Sequence, residues 1–334
     1  MYFRILCLFV FLSADVFSQP DSPTVASLYD TLSITLENVR YPHPVKFISL
    51  ELGCEDVRMA YMDVKPRYRP NGKTVMLFHG KNFGGYYWKD VISALVNGGY
   101  RVVVPDQIGF GRSSKPVIHY SFQLLASQNR KLLDSLDLEK VILMGHSMGG
   151  MLATRFALMY PHKVEKLILE NPIGLEDYKV FVPYVSVEQQ YQQELKTTAE
   201  SVRRYYQASY FPEWKEDYEY LVSIGAGVTN SSEFPRYAKV AALTYQMIYE
   251  QPVVYEFSEL DVPVVLMIGT KDKTVVGRDK LPPDVRNTYG NYERLGKQTA
   301  GKIKHCRLIE FNAGHIPHIE RPQEFIDELL MALK

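Results

Sequence analysis

The sequence has little cysteine: Cys7, Cys54 and Cys306 are the three in 334 residues. None stands in a Cys-x-x-Cys or Cys/His pattern of the zinc-site kind, so no metal is expected. Excess charge of either sign is also missing. Lys plus Arg and Asp plus Glu both total 38, which leaves no global field to attract nucleic acid or an anionic membrane; the expected partner is a small molecule. Internal repeats and low-complexity tracts do not occur. The N-terminal apolar run, residues 5–12, falls far short of the ~20 residues needed to cross a bilayer. No stable membrane anchor is expected.

That run does have another use. One positive charge within residues 1–4, the apolar stretch to Leu12, and small residues at Ser13 and Ala14 read as a secretory signal over residues 1–18, with a leader over 19–44. The expectation is an exported, periplasmic or secreted protein. A lipoprotein is excluded because Cys7 follows Arg4-Ile5-Leu6, too early and with no small residue before it. Cys54 lies by an early strand and Cys306 in the last. In the fold argued next they sit toward opposite sheet edges, farther apart than the ~7 Å between Cα atoms that a disulfide tolerates, so two unpaired thiols are predicted.

With 46% hydrophobic residues the chain buries a large core, which excludes disorder as its main theme. Residues 45–52 and 57–64 read as an antiparallel pair about a turn at Gly53. From Lys73 onward, strand-length apolar runs at 74–78, 101–104, 140–144, 164–169, 264–268 and 305–311 alternate with helical patterns at 86–97, 122–136, 148–160, 291–302 and 322–333. That alternation predicts an α/β fold with a mostly parallel, doubly wound sheet. Ser121 is the expected N-cap of the second helix, and Gly98-Gly99 ends the first. The alternation stops over 173–257, a stretch of helical patterns rich in tyrosine, so the core is expected to comprise 45–172 and 258–334. Tyr205, Tyr206, Tyr210, Phe211, Trp214, Tyr218, Tyr220, Tyr237, Tyr245 and Tyr249 either pack the insertion's own core or line a pocket.

The segment Val141-Ile-Leu-Met-Gly145-His146-Ser147-Met148-Gly149-Gly150 is an apolar strand, then Gly-x-Ser-x-Gly, then a helix start. Such a turn strains the serine backbone and lifts its Oγ above the sheet, where the free N–H groups of the new helix point at a reacting carbonyl oxygen. The bare pattern arises by chance in about one chain of this size in ten. Its position between strand and helix is what makes it a nucleophile candidate. Serine needs a base, and of eight histidines His315 is the one in a loop between the last strand and the last helix, with His318 the runner-up in the same loop. His79 and His146 adjoin the two turns in packing roles. A carboxylate must then orient the imidazole: Asp272, just past the strand at 264–268, is preferred over Glu170. The glycine-rich turn Phe78-His79-Gly80-Lys81-Asn82-Phe83-Gly84-Gly85 follows the first core strand. It lacks the Gly-Lys-Ser/Thr of a phosphate loop, so no cofactor is expected, and the backbone N–H groups of Lys81 and Met148 are the expected oxyanion donors.

On these residues the sequence resembles the α/β-hydrolase superfamily over nearly everything from Val45 to the C-terminus. Ser147, Asp272 and His315 match its chain order of nucleophile, acid and histidine; His79-Gly80 matches its His-Gly turn; Asp106 with Gly109-Phe-Gly111-Arg-Ser113 looks like its segment after the next strand. The resemblance implies that residues 173–257 form a helical cap and that the reaction runs through an acyl-enzyme. Dehalogenases and epoxide hydrolases of the superfamily use an aspartate nucleophile, against which Ser147 argues. Serine-type peroxidases, lyases, C–C hydrolases, iminopeptidases and acyl-transferring or ligand-binding relatives share the serine. Glu213, Glu216, Asp217 or Glu219 would serve an iminopeptidase as amine anchors, or else form a solvated helix face. The leading expectation is a small-molecule carboxylic ester with an apolar acyl or alcohol portion.

Overall fold

A computed structural model describes residues 30–52 and 55–334; the expected export signal, Cys7 and Cys54 lie outside the described residues. Among these, eight strands form one sheet: β1 (Val45–Leu52), β2 (Glu55–Val64), β3 (Thr74–Phe78), β4 (Arg101–Pro105), β5 (Val141–His146), β6 (Val164–Glu170), β7 (Val264–Gly269) and β8 (Cys306–Phe311). Their order is β1-β2-β4-β3-β5-β6-β7-β8. β1 and β2 pair antiparallel, with Val45 opposite Met62, and β2 runs antiparallel to β4; every pair from β4 across to β8 is parallel. The connection from β3 goes to one side, to β4, and the chain then returns to the other side of β3 with β5. That reversal opens a crevice beyond the carboxyl ends of β3 and β5, where open α/β sheets bind ligands.

Among the described residues ten α-helices cover the sheet and the crevice: α1 (Lys89–Asn97), α2 (Phe122–Ser135), α3 (Met148–Met159), α4 (Val187–Glu194), α5 (Ala199–Ser209), α6 (Glu219–Thr229), α7 (Phe234–Glu250), α8 (Tyr292–Ala300), α9 (Pro317–Glu320) and α10 (Pro322–Leu333). The central strands β3, β5 and β7 are buried at every residue, as expected for parallel strands covered on both faces. Alternate side chains of β3 enter opposite layers. Met76 and Phe78 join Leu132 of α2 and Phe156 of α3, while Val75 and Leu77 join Ile92 of α1 and Phe325 of α10. Burying each such side chain contributes about 2 kcal/mol. Ser121 caps α2 as expected, its hydroxyl accepting the Leu124 N–H at 3.0 Å.

The helix expected from residue 86 begins later. Gly85–Trp88 is a 3-10 turn, and α1 starts at Lys89. The tight turn buries Tyr86, Tyr87 and Trp88 together, and Asp106 Oδ1 holds its first N–H, that of Gly85, at 2.6 Å. The sequence pattern also gave no sign of α9. Cys306 is a free thiol on the edge strand β8.

Between β6 and β7 the regular elements among the described residues are all helical, α4 to α7 and short 3-10 turns. Residues before β1 are part of this assembly. Leu32, Ile34 and Leu36 are buried, and the Leu32 N–H donates to the Gly227 carbonyl of α6 at 3.0 Å. Farther along, Arg112 donates to the carbonyls of Leu36, Glu37 and Val39, and the Tyr41 hydroxyl donates to Asp106 Oδ2 at 2.7 Å. The segment therefore joins the helical insertion to the turn after β4.

Candidate active site

Ser147 sits between the last residue of β5 and the first of α3 with φ 57° and ψ −121°. A residue with a Cβ pays roughly 1–3 kcal/mol for such a conformation, so its surroundings must enforce it. The Ser147 N–H donates to the Glu170 carbonyl at 3.1 Å, and its own carbonyl accepts from Gly150 at 2.9 Å and Ile173 at 3.2 Å. A Cβ on Gly145 would collide with the Gly149 carbonyl, and one on Gly149 with the Phe78 carbonyl of β3. The elbow closes only because both positions lack a side chain.

From the far end of the sheet, the loop after β8 brings His315 to this serine. His315 Nε2 lies 2.9 Å from Ser147 Oγ, and Nδ1 lies 2.6 Å from Asp272 Oδ2. With the carboxylate accepting the Nδ1 proton, the Nε2 lone pair faces the serine hydroxyl, the tautomer required for proton abstraction. Asp272 follows β7 and is itself held: the Thr274 N–H donates to Oδ1 at 2.7 Å and Asn171 Nδ2 donates to Oδ2 at 2.9 Å. Asn171 also accepts the Gly269 N–H through Oδ1 at 2.9 Å, so one amide clamps the end of β7 to the carboxylate that β7 delivers. The His315 and Asp272 side chains are fully buried, where such hydrogen bonds act in a low dielectric.

The runner-up residues form a pair of their own. His318 Nδ1 lies 2.8 Å from Glu170 Oε1, and the His318 N–H donates to the same oxygen at 3.0 Å. Glu170 thus anchors the histidine loop instead of orienting His315. His79 and His146 are fully buried, and burial pushes both imidazoles below their ordinary range, in His146 reinforced by His315 and His318. A neutral His146 completes a relay. The Gly80 N–H donates to the Tyr87 hydroxyl at 3.0 Å, that hydroxyl donates to His146 Nδ1 at 2.9 Å, and His146 Nε2–H donates to the His315 carbonyl at 2.9 Å. The turn after β3 and the loop after β8 are tied together behind the serine.

Tyr210, at the end of α5, is the link that sequence reading did not assign to the site. Its carbonyl accepts the His315 N–H at 2.9 Å, its ring stacks on the His315 imidazole at 4.9 Å between centroids, and its hydroxyl accepts from Asn82 Nδ2 at 2.7 Å. Glu320 secures the other side of the loop through the N–H groups of Gly314 and Ile316. Ser147 opens into a cavity of about 610 Å³ that Lys81, Asn82 and Phe110 line from the sheet side. Met148 is the first residue of α3 and is buried. From the insertion come Tyr205, Tyr206, Tyr210, Tyr237 and Tyr245, whereas Phe211 stacks on Tyr218 and Trp214 meets both edge-on, away from the cavity lining. The lining is less apolar than expected, since Gln190, Arg278 and Lys280 contribute to it. Glu213, Glu216, Asp217 and Glu219 are not among the lining residues; Glu213 and Glu219 pair with Lys271 and Arg203. Among the described residues, no group of three or more His, Cys, Asp or Glu side chains is placed to hold a metal ion, and no helix is long and apolar enough to cross a membrane.

A serine on a strained strand-to-helix turn, a histidine after the last strand and an acid after the one before it, all at one edge of a mostly parallel sheet, define a class of fold and site. A family model described as alpha/beta hydrolase fold matches residues 73–322, and the chain belongs to that family. It is 43% identical, with a TM-score of 0.90, to a solved probable hydrolytic enzyme of Pseudomonas aeruginosa PAO1, over 92% of this chain and 100% of that one. An enol-lactonase of Burkholderia xenovorans shares the fold, with a TM-score of 0.66 at 19% identity over 86% of this chain and 99% of that one. The matches to curated relatives span about a third of their length: 37% identity over 109 residues, 33% of this chain and 32% of an uncharacterized protein of Mycobacterium tuberculosis. For the 2-hydroxy-6-oxo-2,4-heptadienoate hydrolase of Pseudomonas putida the figures are 35% over 107 residues, 31% of this chain and 39% of that enzyme.

Proposed function

We propose that the protein is an exported serine hydrolase that cleaves a carboxylic ester through an acyl-enzyme, with Ser147 as nucleophile, His315 as general base and Asp272 as orienting acid. The observation that carries this reading is the unbroken chain from Ser147 Oγ to His315 at 2.9 Å and on to Asp272 at 2.6 Å, opening into a cavity roofed by the helical insertion, which acts as a cap. Ser147 Oγ attacks the ester carbonyl as His315 Nε2 takes its proton, and Asp272 stabilises the imidazolium. The N–H groups of Lys81 and Met148 receive the oxyanion. Collapse of the tetrahedral intermediate returns that proton from His315 to the departing alcohol. Water then attacks the acyl-enzyme, giving a proton to His315, and the acid leaves as Ser147 recovers it.

The family membership and the named hydrolases among the relatives support the hydrolytic half of this reading, and the serine with its base supports acyl transfer as the route. Short p-nitrophenyl esters and lactones are expected to turn over, with kcat falling by about 10⁵-fold or more in Ser147→Ala. A fluorophosphonate probe is expected to label Ser147. Equal turnover by the variant would sink the proposal, and a serine that never labels would point to a ligand-binding member of the family. Export is tested by fractionating cells expressing the chain with and without residues 1–18.

A further inference from the structure

One wall of the cavity carries charge that the reaction at Ser147 does not use. The cationic side chains lining the cavity are Lys81, Arg278, Lys280 and Arg286, against two carboxylates, Glu194 and Asp279. Arg278 and Arg286 direct their hydrogen bonds mainly to backbone carbonyls, of Lys273, Tyr289 and Arg286 for the first and Leu281 and Asp279 for the second. These partners satisfy donors and leave the positive charges in place. The Lys280 side chain is 9% exposed, and its ammonium stands 3.6 Å from an Asp279 carboxylate that is itself 74% exposed, beyond hydrogen-bond range. It lies over the Tyr245 ring, 4.8 Å from the centroid. The Tyr245 hydroxyl is buried without a hydrogen-bond partner, as are Gln190 Oε1 and Arg278 Nε. Glu194 belongs to the same wall, but one of its oxygens accepts from Gln190 Nε2 at 2.9 Å. The unpartnered Tyr245 hydroxyl and the Lys280 ammonium over its ring are both hydrogen-bond donors, and both residues line the cavity.

We propose that Lys280 and Tyr245 form a carboxylate-recognition subsite, so that the substrate carries, away from the bond that is broken, a carboxylate accepting from Lys280 Nζ and the Tyr245 hydroxyl. The inference rests on the ester-hydrolase reading for the bond cleaved, and on the cavity alone for the anion. Asp279 pairs with the ammonium by charge alone, at 3.6 Å from a solvent-exposed position, so the N–H donors stay open to a ligand, and the tyrosine face adds to the hold on the cation.

The test compares p-nitrophenyl hemiesters of adipate, pimelate and suberate with neutral p-nitrophenyl esters of equal chain length. At the best length, kcat/KM for the hemiester is expected to exceed that for the neutral ester by about tenfold or more, the worth of one charge-assisted hydrogen bond. The preference should fall about tenfold in Lys280→Gln and about threefold in Tyr245→Phe, chiefly through KM. A ratio of one or less at every length, or a preference that survives both substitutions, overturns the subsite. Thermal unfolding checks that each variant folds; should Lys280→Gln not fold, Tyr245→Phe decides. If no ester turns over at all, it is the hydrolase reading that fails. Calorimetry with monomethyl and dimethyl adipate on Ser147→Ala then reads the subsite separately: tighter binding of the monoacid, lost when Lys280→Gln is added, supports it, and equal or absent binding refutes it.

Discussion

The turns of the sheet and the helical insertion contribute to the same cavity by different means. At the sheet edge, Ser147, His315 and Asp272 stand on backbone turns that are themselves fixed: a strained elbow, a loop held by the side chains of Glu170 and Glu320, and a strand end clamped by that of Asn171. In the insertion, placement is by side chains, with Tyr205, Tyr206, Tyr237 and Tyr245 projecting from helices whose backbone would accept many other residues. On the proposed reading, chemistry that tolerates little displacement falls where the backbone is held most tightly. Recognition resides where substitution leaves the backbone intact. Tyr210 is the point at which the two meet, since its carbonyl holds the His315 loop while its ring faces the cavity.

Substitutions that break this contrast are expected to differ in size. Asp272→Asn keeps the shape but donates to, instead of accepting from, His315 Nδ1, and should lower kcat by about 10⁴-fold with little change in KM; a loss under tenfold would show that the carboxylate is not orienting the imidazole. Asn171 has φ 37°, a conformation that glycine adopts without strain, so Asn171→Gly removes its amide with little added backbone strain. A fall in kcat of about 10- to 100-fold at constant KM is the expectation, as estimated for a displaced catalytic group; equal changes in kcat and KM would deny it a positioning role.

At the seam between sheet and insertion, the Lys115 carbonyl accepts from Arg236 of α7 at 2.9 Å, and the Lys115 ammonium is buried, donating to the carbonyls of Gly111 and Ser113. Burial, opposed in part by Asp106, lowers it from 10.5 to about 7. Between about pH 7 and 10.5 the unfolded chain therefore binds a proton that the folded one lacks, so this group makes stability rise with pH across that window and adds no slope below it. Denaturant titrations should show that rise in the natural protein and its loss in Lys115→Met. The smallest effect is expected for Tyr210→Phe, which keeps the ring and carbonyl but loses the bond from Asn82: a change of about threefold in kcat/KM, measured on the same ester panel.

What could be read from the sequence follows the same division. The strands were legible to within two residues because buried parallel strands are unbroken apolar runs, as Thr74–Phe78 and Val264–Gly269 show. The three residues at the strand ends, taken from turn placement, lie in one hydrogen-bonded chain. Contacts without local pattern were not legible. Asn171 meets Asp272 across 101 positions and Asn82 meets Tyr210 across 128, and no periodicity marks either pair. Glu170 and His318 were each singled out as alternatives to a site residue, and turned out to be partners of one another. The aromatic residues of the insertion read alike in sequence, yet half of those named face the cavity and others pack among themselves, because helix faces are settled by tertiary contact.

The strip of chain ahead of β1 alters how the mouth of the cavity must work. The insertion has two covalent attachments, near residues 173 and 257, and taken alone these would let it swing as a flap. To the ties through Tyr210 and Arg236, Leu32 on α6 and Arg112 on the carbonyls of Leu36, Glu37 and Val39 add a further attachment, as a hasp does to a hinged lid. A panel fastened at several places flexes within itself instead of rotating as a whole, so the shape of the cavity is a property of the assembled chain from residue 31 onward. Trimming the protein back to its first strand would free the roof before it disturbed the floor.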